Sequence, residues 1–346
     1  MENEFYYNAI IVQENVNYGD LKKINEKYNG DWKSAYEEYI QDNHIIKNPE
    51  KEWNKILELG VQLILLDSPK YPKLLKEIYN PPFGIYIMGE IQENEKIPIS
   101  IVGTRKATNE GKNISKKFSR KLNENGFLII SGLAFGIDIS AHESCVELNQ
   151  KTIAVIASGV DNISPRSNYK VAKKILDNSG AIISEYPVGA KPFPNRFIER
   201  NRIISGLSKG ILIIEAPKSS GALITARFAT EQNRDIFVVP GSINNQNYIG
   251  SNNLIKNGAQ LVTSPQDILD AYGIKNETAQ AIKAESFSNE EKIILDVIKN
   301  NTGDASIDKI IMITKLEAQI VNQTISFLLI KDIIEENEYG YNIKTD

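Results

Sequence analysis

The chain has almost none of the side chains that form disulfides or zinc sites. Among its 346 residues there is one cysteine, Cys145, and there are two histidines, His44 and His142. A single cysteine cannot form an internal disulfide, which is usual in a reducing cytoplasm. A zinc site would need additional Asp and Glu ligands at suitable spacings, and the sequence shows none. We therefore expect neither a disulfide nor a bound metal.

Long apolar runs and a signal peptide are also missing. Nowhere do about 18 apolar residues follow one another, as a membrane-spanning helix requires, so no membrane insertion is expected. The first residues, Met1-Glu2-Asn3-Glu4, are acidic and polar, whereas a signal peptide begins with basic residues and continues with an apolar run. Together with the cysteine usage, these features predict a cytoplasmic protein.

The two common nucleotide-binding fingerprints are absent as well. The sequence contains no G-x-x-x-x-G-K-[ST] segment, which cradles phosphates in P-loop proteins. It also contains no G-x-G-x-x-G segment, which binds dinucleotides. No cofactor is therefore expected.

The net charge of −4 does not by itself suggest a nucleic-acid binder, because affinity for phosphate backbones depends on Lys and Arg. The charge is unevenly distributed, however. Residues 101–240 contain 20 Lys and Arg against 12 Asp and Glu, a net charge of +8, so the two flanks together carry −12. A binding face needs only local positive potential, and the central region can supply it.

From Pro98 onward, short apolar segments alternate with helical patterns. The apolar segments are continuous and rich in β-branched residues, as expected of strands buried on both faces: ISIVG, GFLIISG, TIAVIASG, GAIISE, GILIIEA and DIFVVPG. Helical stretches such as EGKNISKKFSRKLNEN and GALITARFATEQN lie between them. This alternation predicts an α/β fold with an extended, Rossmann-like, doubly wound and mostly parallel sheet.

The flanking segments predict two smaller domains around this sheet. Residues 1–80 alternate helical patterns with turns and predict a helical domain, and residues 81–275 form the Rossmann-like domain. Residues 285–346 contain three helical patterns followed by a short hairpin, the order found in a winged-helix module. That segment has 6 Lys against 12 Asp and Glu, so it is a poor candidate for duplex binding. A protein-contact or regulatory role is favoured.

Open α/β sheets bind ligands at the carboxyl ends of their strands, so the turns there are candidate sites. Glycine lets backbone N–H groups approach a phosphate, and the N-terminus of a following helix adds partial positive charge. The same glycines can instead serve only to allow tight turns. The candidate residues in these turns are Arg105, Ser131, Gly132, Gly136, Lys218, Ser220 and Gly221.

The segment KPFPNRFIERNRIISGLSKG combines three arginines with two phenylalanines. Guanidinium groups pair with phosphates, and an aromatic face stacks on a base. Pro192 and Pro194 predict an exposed loop before the helix, which favours recognition. The alternatives are a solvated arginine-rich face with the second phenylalanine in the core, and an asparagine that holds the loop backbone. The candidate residues are Arg196, Phe197, Arg200, Asn201 and Arg202.

Several segments, in this order, closely resemble the DprA/Smf family of DNA-processing proteins: IVGTRKAT, SGLAFGIDISAH, TIAVIASGVD, ISEYPVG, FIERNRIISGLS, SGALITARFATEQNRDIFVVPGS and NLIKNGAQLV. The flanks are similar to the family's N-terminal SAM-like helical domain and its C-terminal winged-helix domain. The resemblance implies a cytoplasmic protein that binds single-stranded DNA without sequence preference and without catalysis. It also implies protection of incoming strands in natural transformation, association with the recombinase RecA and its loading, and a homodimer formed through the Rossmann-like domain.

The resemblance also assigns roles to individual residues of this chain. Arg105, Phe197, Arg200, Asn201 and Lys218 would line the DNA groove. Backbone contacts would come from Ser131, Gly132 and Gly136.

Two departures from the family pattern affect this assignment. Where the family usually has Tyr-Pro and then a basic residue, the chain has Ser164-Pro165-Arg166, which loses an aromatic ring while Arg166 keeps the charge. Where the family has Phe-Pro-x-Arg-Asn-Arg, the chain has Glu199 before the central arginine. That carboxylate would weaken phosphate binding unless it pointed away from the groove.

The runner-up hypothesis is an enzyme. A related Rossmann-like family hydrolyses the glycosidic bond of nucleoside monophosphates with a P-G-G-x-G-T-x-x-E signature that ends in a catalytic Glu. The corresponding loop here, KSSGALITARFATE, lacks the paired glycines, although Glu215 and Glu231 are nearby carboxylates. The DNA-binding hypothesis is therefore preferred.

Overall fold

The computed structural model describes residues 2–13, 16–42, 45–91, 96–274, 287–300, 305–331, 333–337 and 340–343. These residues belong to two compact units, Met1–Lys275 and Asn276–Asp346. No helix in the described ranges is long and apolar enough to cross a membrane.

The first unit opens with α1 (Glu2–Ile11), α2 (Tyr18–Tyr28), α3 (Trp32–Asp42) and α4 (Pro49–Glu58). The start of α2 is fixed by a reciprocal cap, because the Asn17 side chain accepts from the Asp20 backbone N–H while the Asp20 carboxylate accepts from that of Asn17. The segment 1–80 is thus helical in its first part, as predicted.

Aromatic side chains join these helices to the sheet. The rings of Tyr7 and Trp32 meet edge to face with centroids 4.8 Å apart, and Phe83, just before a sheet strand, contacts Trp32. All three are buried in one apolar cluster. Residues 1–80 and 81–275 therefore lie within the same compact unit, and their separation into two domains stays a prediction.

Among the described residues, nine strands form one large sheet. They are β1 (Gln62–Leu65), β2 (Gly84–Gly89), β3 (Ile97–Gly103), β4 (Phe127–Ser131), β5 (Thr152–Val155), β6 (Ala181–Ser184), β7 (Gly210–Ile214), β8 (Asp235–Val238) and β9 (Gln260–Leu261). Their order is β1-β2-β6-β5-β4-β3-β7-β8-β9. The β1–β2 and β2–β6 pairs are antiparallel and the other pairs are parallel. The mostly parallel sheet and all six strands predicted after Pro98 are confirmed.

Helices cover both faces of this sheet. They are α5 (Lys73–Lys76), α6 (Asn109–Glu124), α7 (Ile137–Glu147), α8 (Tyr169–Asp177), α9 (Pro194–Gly206), α10 (Gly221–Glu231), α11 (Ile249–Lys256) and α12 (Pro265–Ala271). Successive side chains of a strand point to opposite faces. Leu212 and Ile214 of β7 accordingly cluster with residues of α6 and α7, while Ile211 and Ile213 cluster with residues of α9 and α10. The doubly wound arrangement is therefore confirmed.

The strand order reverses at one point in the sheet. The chain proceeds from β3 outward through β4 and β5 to β6, and then returns through α9 to β7, which pairs with the other edge of β3. Loops that follow two such strands separate and leave a crevice at the carboxyl edge. The crevice is expected between the loops after Gly103 and after Ile214.

The second unit contains α13 (Asn289–Asn300), α14 (Ile307–Thr314), α15 (Ala318–Ile330) and the antiparallel pair β10 (Ile334–Asn337) and β11 (Gly340–Ile343). One side chain from each helix, Ile294, Ile310 and Leu328, is completely buried in a shared apolar cluster. The predicted order of three helices and a hairpin is present in the described residues. Assignment as a winged helix stays a prediction.

Arg202, which we predicted at the binding site, is instead part of the internal framework. Its Nη2 lies 2.6 Å from Glu185 Oε1, and both side chains are almost completely buried. The guanidinium also lies 5.5 Å from the ring centroid of Tyr18 on α2. Through these two contacts Arg202 connects α9 to the end of β6 and to the N-terminal helices. Glu185 supplies the paired carboxylate that a buried cation needs.

We predict that Glu185→Gln lowers the free energy of unfolding by about 3–5 kcal/mol, because it leaves the Arg202 charge buried and unpaired. The double variant Glu185→Leu/Arg202→Met removes both charges and should be closer to wild type in stability. Urea denaturation measures both values. A loss below about 1 kcal/mol in the single variant would contradict the structural role of this pair.

The stability of the protein should depend on pH through His142. His142 on α7 is completely buried, its Nδ1 lies 2.9 Å from Thr152 Oγ1, and burial lowers its pKa to about 3. Between pH 7 and 5 the unfolded chain protonates this histidine and the folded chain does not. The unfolded state therefore binds more protons, and the stability of the protein falls as the pH is lowered. Protonation of His142 in the unfolded chain should lower the free energy of unfolding by about 2 kcal/mol between pH 7 and pH 5. Urea denaturation of wild type and His142→Gln at both pH values tests it, since the variant should lack that part of the loss.

Candidate nucleic-acid cleft

A cleft of about 680 Å³ opens at the point where the strand order reverses. Four segments line it: the loop after β3, the turn between β4 and α7, the first half of α9, and the loop that leads into α10 together with the start of that helix. The lining includes Thr104, Arg105, Lys106, Phe197, Arg200, Asn201, Ser220 and Gly221. The sequence had predicted six of these: Arg105, Phe197, Arg200, Asn201, Ser220 and Gly221.

Arg105 and Phe197 form the exposed contact surface of the cleft. The Arg105 guanidinium lies 5.0 Å from the centroid of the Phe197 ring, within the range of a cation–π contact. Arg105 is exposed and Phe197 is half-buried, so the ring is not sealed in the core. The adjacent Lys106, which we did not predict, is exposed too and adds a second cation. This surface offers a stacking face beside two positive charges.

The N-terminus of α10 forms another wall of the cleft. The Ser220 side chain caps this helix by accepting from the Ala222 backbone N–H at 3.2 Å. Gly221 is exposed, and a Cβ there would meet nothing within 4 Å, so the backbone remains open to a ligand. A helix N-terminus carries partial positive charge. Lys218 is exposed on the same loop but does not line the cleft itself.

Arg200 differs from its predicted role as a free phosphate ligand. Its guanidinium is buried, and Nη1 donates to the carbonyl of Gly132 at 2.7 Å and to that of Val155. Its Nε donates to Asn201 Oδ1 at 3.2 Å. Burial lowers the pKa of Arg200 to about 10, with the nearby Asp138 opposing that effect, so the side chain stays charged at neutral pH. Arg200 therefore fastens α9 to the ends of β4 and β5.

The glycine-rich turn after β4 belongs to the same framework. The Ser131 hydroxyl donates to the Ile101 carbonyl at 2.6 Å, and the Gly132 N–H donates to Asp138 at 3.1 Å. A Cβ at Gly132 would lie 2.7 Å from both the Arg200 guanidinium and the Asp138 carboxylate. These groups are buried and bonded internally, so the structure does not offer Ser131 or Gly132 as surface contacts for DNA.

The backbone conformation and close packing at position 136 require a glycine. Its φ of +78° lies in the left-handed region, and a Cβ there would be 2.2 Å from the Thr104 carbonyl oxygen. Only glycine allows the turn before α7 to pack this closely against the loop after β3. Gly136 is buried, so it shapes the cleft from below and does not face a ligand.

Arg196 lies outside the cleft lining. The helix α9 begins at Pro194, so Arg196 and Phe197 are on its first turn, and the predicted exposed loop up to the helix is shorter than expected. Proline is favoured at the first helical position because its missing N–H would be unpaired there anyway. The Arg196 guanidinium lies 4.3 Å from the ring centroid of Tyr186, and Nη1 donates to the Lys191 carbonyl at 2.7 Å.

The structure shows where Glu199 and Arg166, the residues at the two departures from the family pattern, are located. Glu199 is exposed but accepts a hydrogen bond from the Tyr186 hydroxyl at 2.7 Å, and it does not line the cleft. Its carboxylate is therefore held away from the Arg105–Phe197 surface. Arg166 is exposed at the start of a short 3₁₀ turn, Arg166–Asn168, near the same edge of the sheet.

Neither carboxylate of the enzyme hypothesis lies in the cleft. Glu215 is completely buried and accepts from the Thr108 backbone N–H at 2.9 Å and from Asn247 Nδ2 at 3.1 Å. Glu231 is at the far end of α10, exposed, and pairs with Arg227. Both side chains have structural or solvated positions, so the nucleotide hydrolase hypothesis is not favoured.

Comparison with known proteins agrees with this geometry. The family model for DNA recombination-mediator protein A matches residues 62–273. Protein Smf of Synechocystis sp. is 44% identical over 230 residues, which cover 65% of this chain and 58% of the relative. Protein Smf of Escherichia coli is 41% identical over 208 residues, 60% of this chain and 56% of the relative. The chain thus spans little more than half the length of these two relatives.

Two solved structures are similar over larger shares of their chains. DNA processing protein A (DprA) from Streptococcus pneumoniae has a TM-score of 0.63 and 31% identity, and the match covers 79% of this chain and 94% of that one. DNA processing protein A from Helicobacter pylori, whose structure concerns its single-stranded DNA binding mode, has a TM-score of 0.56 and 30% identity, covering 62% and 96%. Because the family model matches more than half of its length, the chain belongs to the DNA recombination-mediator protein A family, the DprA/Smf proteins.

Proposed function

We propose that the chain binds single-stranded DNA, without sequence preference, in the cleft at the carboxyl edge of its sheet. The observation that carries this proposal is the Arg105–Phe197 pair, in which an exposed cation and a half-buried aromatic ring lie 5.0 Å apart in the cleft. Unpaired bases stack on aromatic faces whatever their identity, whereas paired bases do not expose their faces. The single-stranded DNA binding described for the H. pylori relative supports the same ligand.

Each wall of the cleft has a distinct role in this binding. Arg105 and Lys106 pair with phosphates, and the open backbone at Gly221 offers N–H groups and helix-dipole charge to another phosphate. Lys218, beside the cleft, and Arg166, at the same edge, add longer-range attraction. Asn201 donates to the Gly221 carbonyl at 3.3 Å and keeps the α10 wall in place.

The wider role of the chain follows from family membership. We propose that it protects incoming strands in DNA uptake and helps load the recombinase RecA, and that it does so as a cytoplasmic protein without catalytic activity. A homodimer through the Rossmann-like domain, a SAM-like domain in residues 1–80 and a winged-helix domain in residues 285–346 complete this proposal. The curated DprA relative from Streptococcus pneumoniae, 40% identical over 233 residues, supports it.

Variants of Arg105 and Phe197 test the proposal. Phe197→Ala should weaken binding of oligo(dT) by about 1–3 kcal/mol, roughly 5- to 150-fold, while Phe197→Tyr keeps most of the affinity. Arg105→Ala should reduce the salt slope of log K by about 0.7, the value for one phosphate contact with a single strand. Fluorescence anisotropy at several salt concentrations measures both.

Arg227→Ala is the matched control for Arg105→Ala, because Arg227 is exposed on α10 outside the cleft lining. It should leave affinity and slope unchanged. Wild-type protein that fails to bind oligo(dT) at low salt would contradict the proposed function. So would Arg105→Ala and Phe197→Ala variants that bind like wild type.

Removal of residues 285–346 tests the role of the acidic second unit. That segment has a net charge of −6, so it contributes no attraction to phosphates. The truncated protein should bind oligo(dT) with an affinity within about twofold of the full chain. A large loss of affinity in the same anisotropy measurement would refute the charge argument.

A further inference from the structure

A strip of positive charge lies on the outer surface of α8, apart from the cleft. The segment from Arg166 to Lys174 contains four cations and no acidic residue. Lys170, Lys173 and Lys174 are all exposed, and so is Tyr169, whose side chain is 57% accessible. The opposite side of α8 is apolar, and Ile175 there is completely buried in the core. The strip therefore covers the outward face of the helix up to its last turn, where the exposed Asp177 lies.

These lysines have no charged partner in the part of the chain that the structure describes. Lysines on several other helices pair with carboxylates: Lys27 with Glu38, Lys33 with Glu2, Lys55 with Glu52, and Lys116 with Glu143. On α8, Asp177 lies four residues after Lys173, a spacing that allows an ion pair on a helix, but the two side chains do not pair. The positive potential of this face is thus not neutralised locally, although the whole chain is acidic.

The strip is continuous with the cleft through one loop contact. Asn168, the residue before α8, donates from Nδ2 to the Leu133 carbonyl at 2.9 Å. Ala134, which follows Leu133 in the chain, lines the cleft, and Phe135 is 49% exposed. The cleft lies over β3, and α8 follows β5, two strands away, which is about 10 Å at the usual strand spacing. A polymer that leaves the cleft on this side meets α8 directly.

The dimensions of the strip suit a phosphate backbone. Lys170 and Lys174 are one turn apart on the helix, about 6 Å, and the nine residues of α8 span about 13 Å. All three helical cations are lysines, which act as mobile point charges and not as bidentate forks. Such a surface attracts successive phosphates without reading sequence, and Tyr169 offers a ring face beside them.

We propose that α8 is a second contact segment for the same DNA strand, bound by Lys170, Lys173, Lys174 and Tyr169 after the strand leaves the cleft over Ala134 and Phe135. The inference rests on the proposed function of the cleft. It assigns the length dependence of binding to this helix: a short oligonucleotide occupies only the cleft, and a longer one also engages α8.

The test compares oligo(dT) of 6 and 24 nucleotides in fluorescence anisotropy at several salt concentrations. The variant Lys170→Gln/Lys173→Gln/Lys174→Gln should bind the short oligonucleotide like wild type. For the long one, the salt slope of log K should fall by about 2, which corresponds to three phosphate contacts at about 0.7 each. Affinity for the long oligonucleotide should fall by about tenfold or more at low salt.

The matched control is Lys70→Gln/Lys73→Gln/Lys76→Gln, which removes the same charge from exposed positions around α5. That helix packs beside Gly206 at the C-terminal end of α9, about 18 Å along the helix from Pro194 at the cleft. The control should behave like wild type with both oligonucleotides. An equal loss in both triple variants would mean a general charge effect and would overturn the assignment to α8.

Tyr169 gives an independent readout. Tyr169→Ala should weaken binding of the long oligonucleotide by roughly 5- to 150-fold, while Tyr169→Phe retains the ring and the affinity. All substituted side chains are exposed, so thermal midpoints should match wild type. If the α8 triple variant keeps the wild-type slope with the long oligonucleotide, the α8 proposal fails and the cleft proposal stands. If wild type binds neither oligonucleotide, both proposals fail.

Discussion

The buried guanidinium of Arg200 holds the ligand-facing edge of the sheet together. From α9, beside Asp138, it donates to a carbonyl just after β4 and to the carbonyl of the last residue of β5. Because Phe197 is three residues earlier on the same helix, one turn away, this anchor also fixes the ring at the cleft. Loss of the anchor would leave a buried carboxylate, two unpaired carbonyls and a helix free to shift.

The same anchor decides which charges a ligand meets. Asp138 offsets much of the Arg200 charge inside the protein, and Glu185 does the same for Arg202. Two of the three arginines in the most basic segment therefore support the fold, and the third rests against Tyr186. The cations open to a polyanion are those at the rim, chiefly Arg105, and the lysines on helix surfaces. Weak, mobile and salt-dependent contacts of this kind suit a strand of any sequence.

Strand prediction succeeded because the evidence was local. Six short, β-branched apolar runs could be buried only between helices, and the strand-end loops then had to share one edge. Arg105, Phe197, Ser220 and Gly221 were located in the cleft on that basis. The roles of Arg200 and Gly132 could not be predicted in this way, since a buried and an exposed arginine have the same local sequence. Lys106 was not predicted, because nothing in the sequence distinguishes it as a binding residue apart from its position next to Arg105.

The sequence by itself determined the sheet and its winding, because hydrophobic period and turn residues act over a few positions and recur along the chain. It also indicated the family, through the ordered segments that resemble it. Only the tertiary structure decided which polar side chains bind the strand ends internally and which remain accessible to a ligand. That division depends on partners far apart in the chain, such as Arg200 with Val155 and Arg202 with Tyr18. Burial and pairing in three dimensions, and not residue type, separate a structural charge from a binding one.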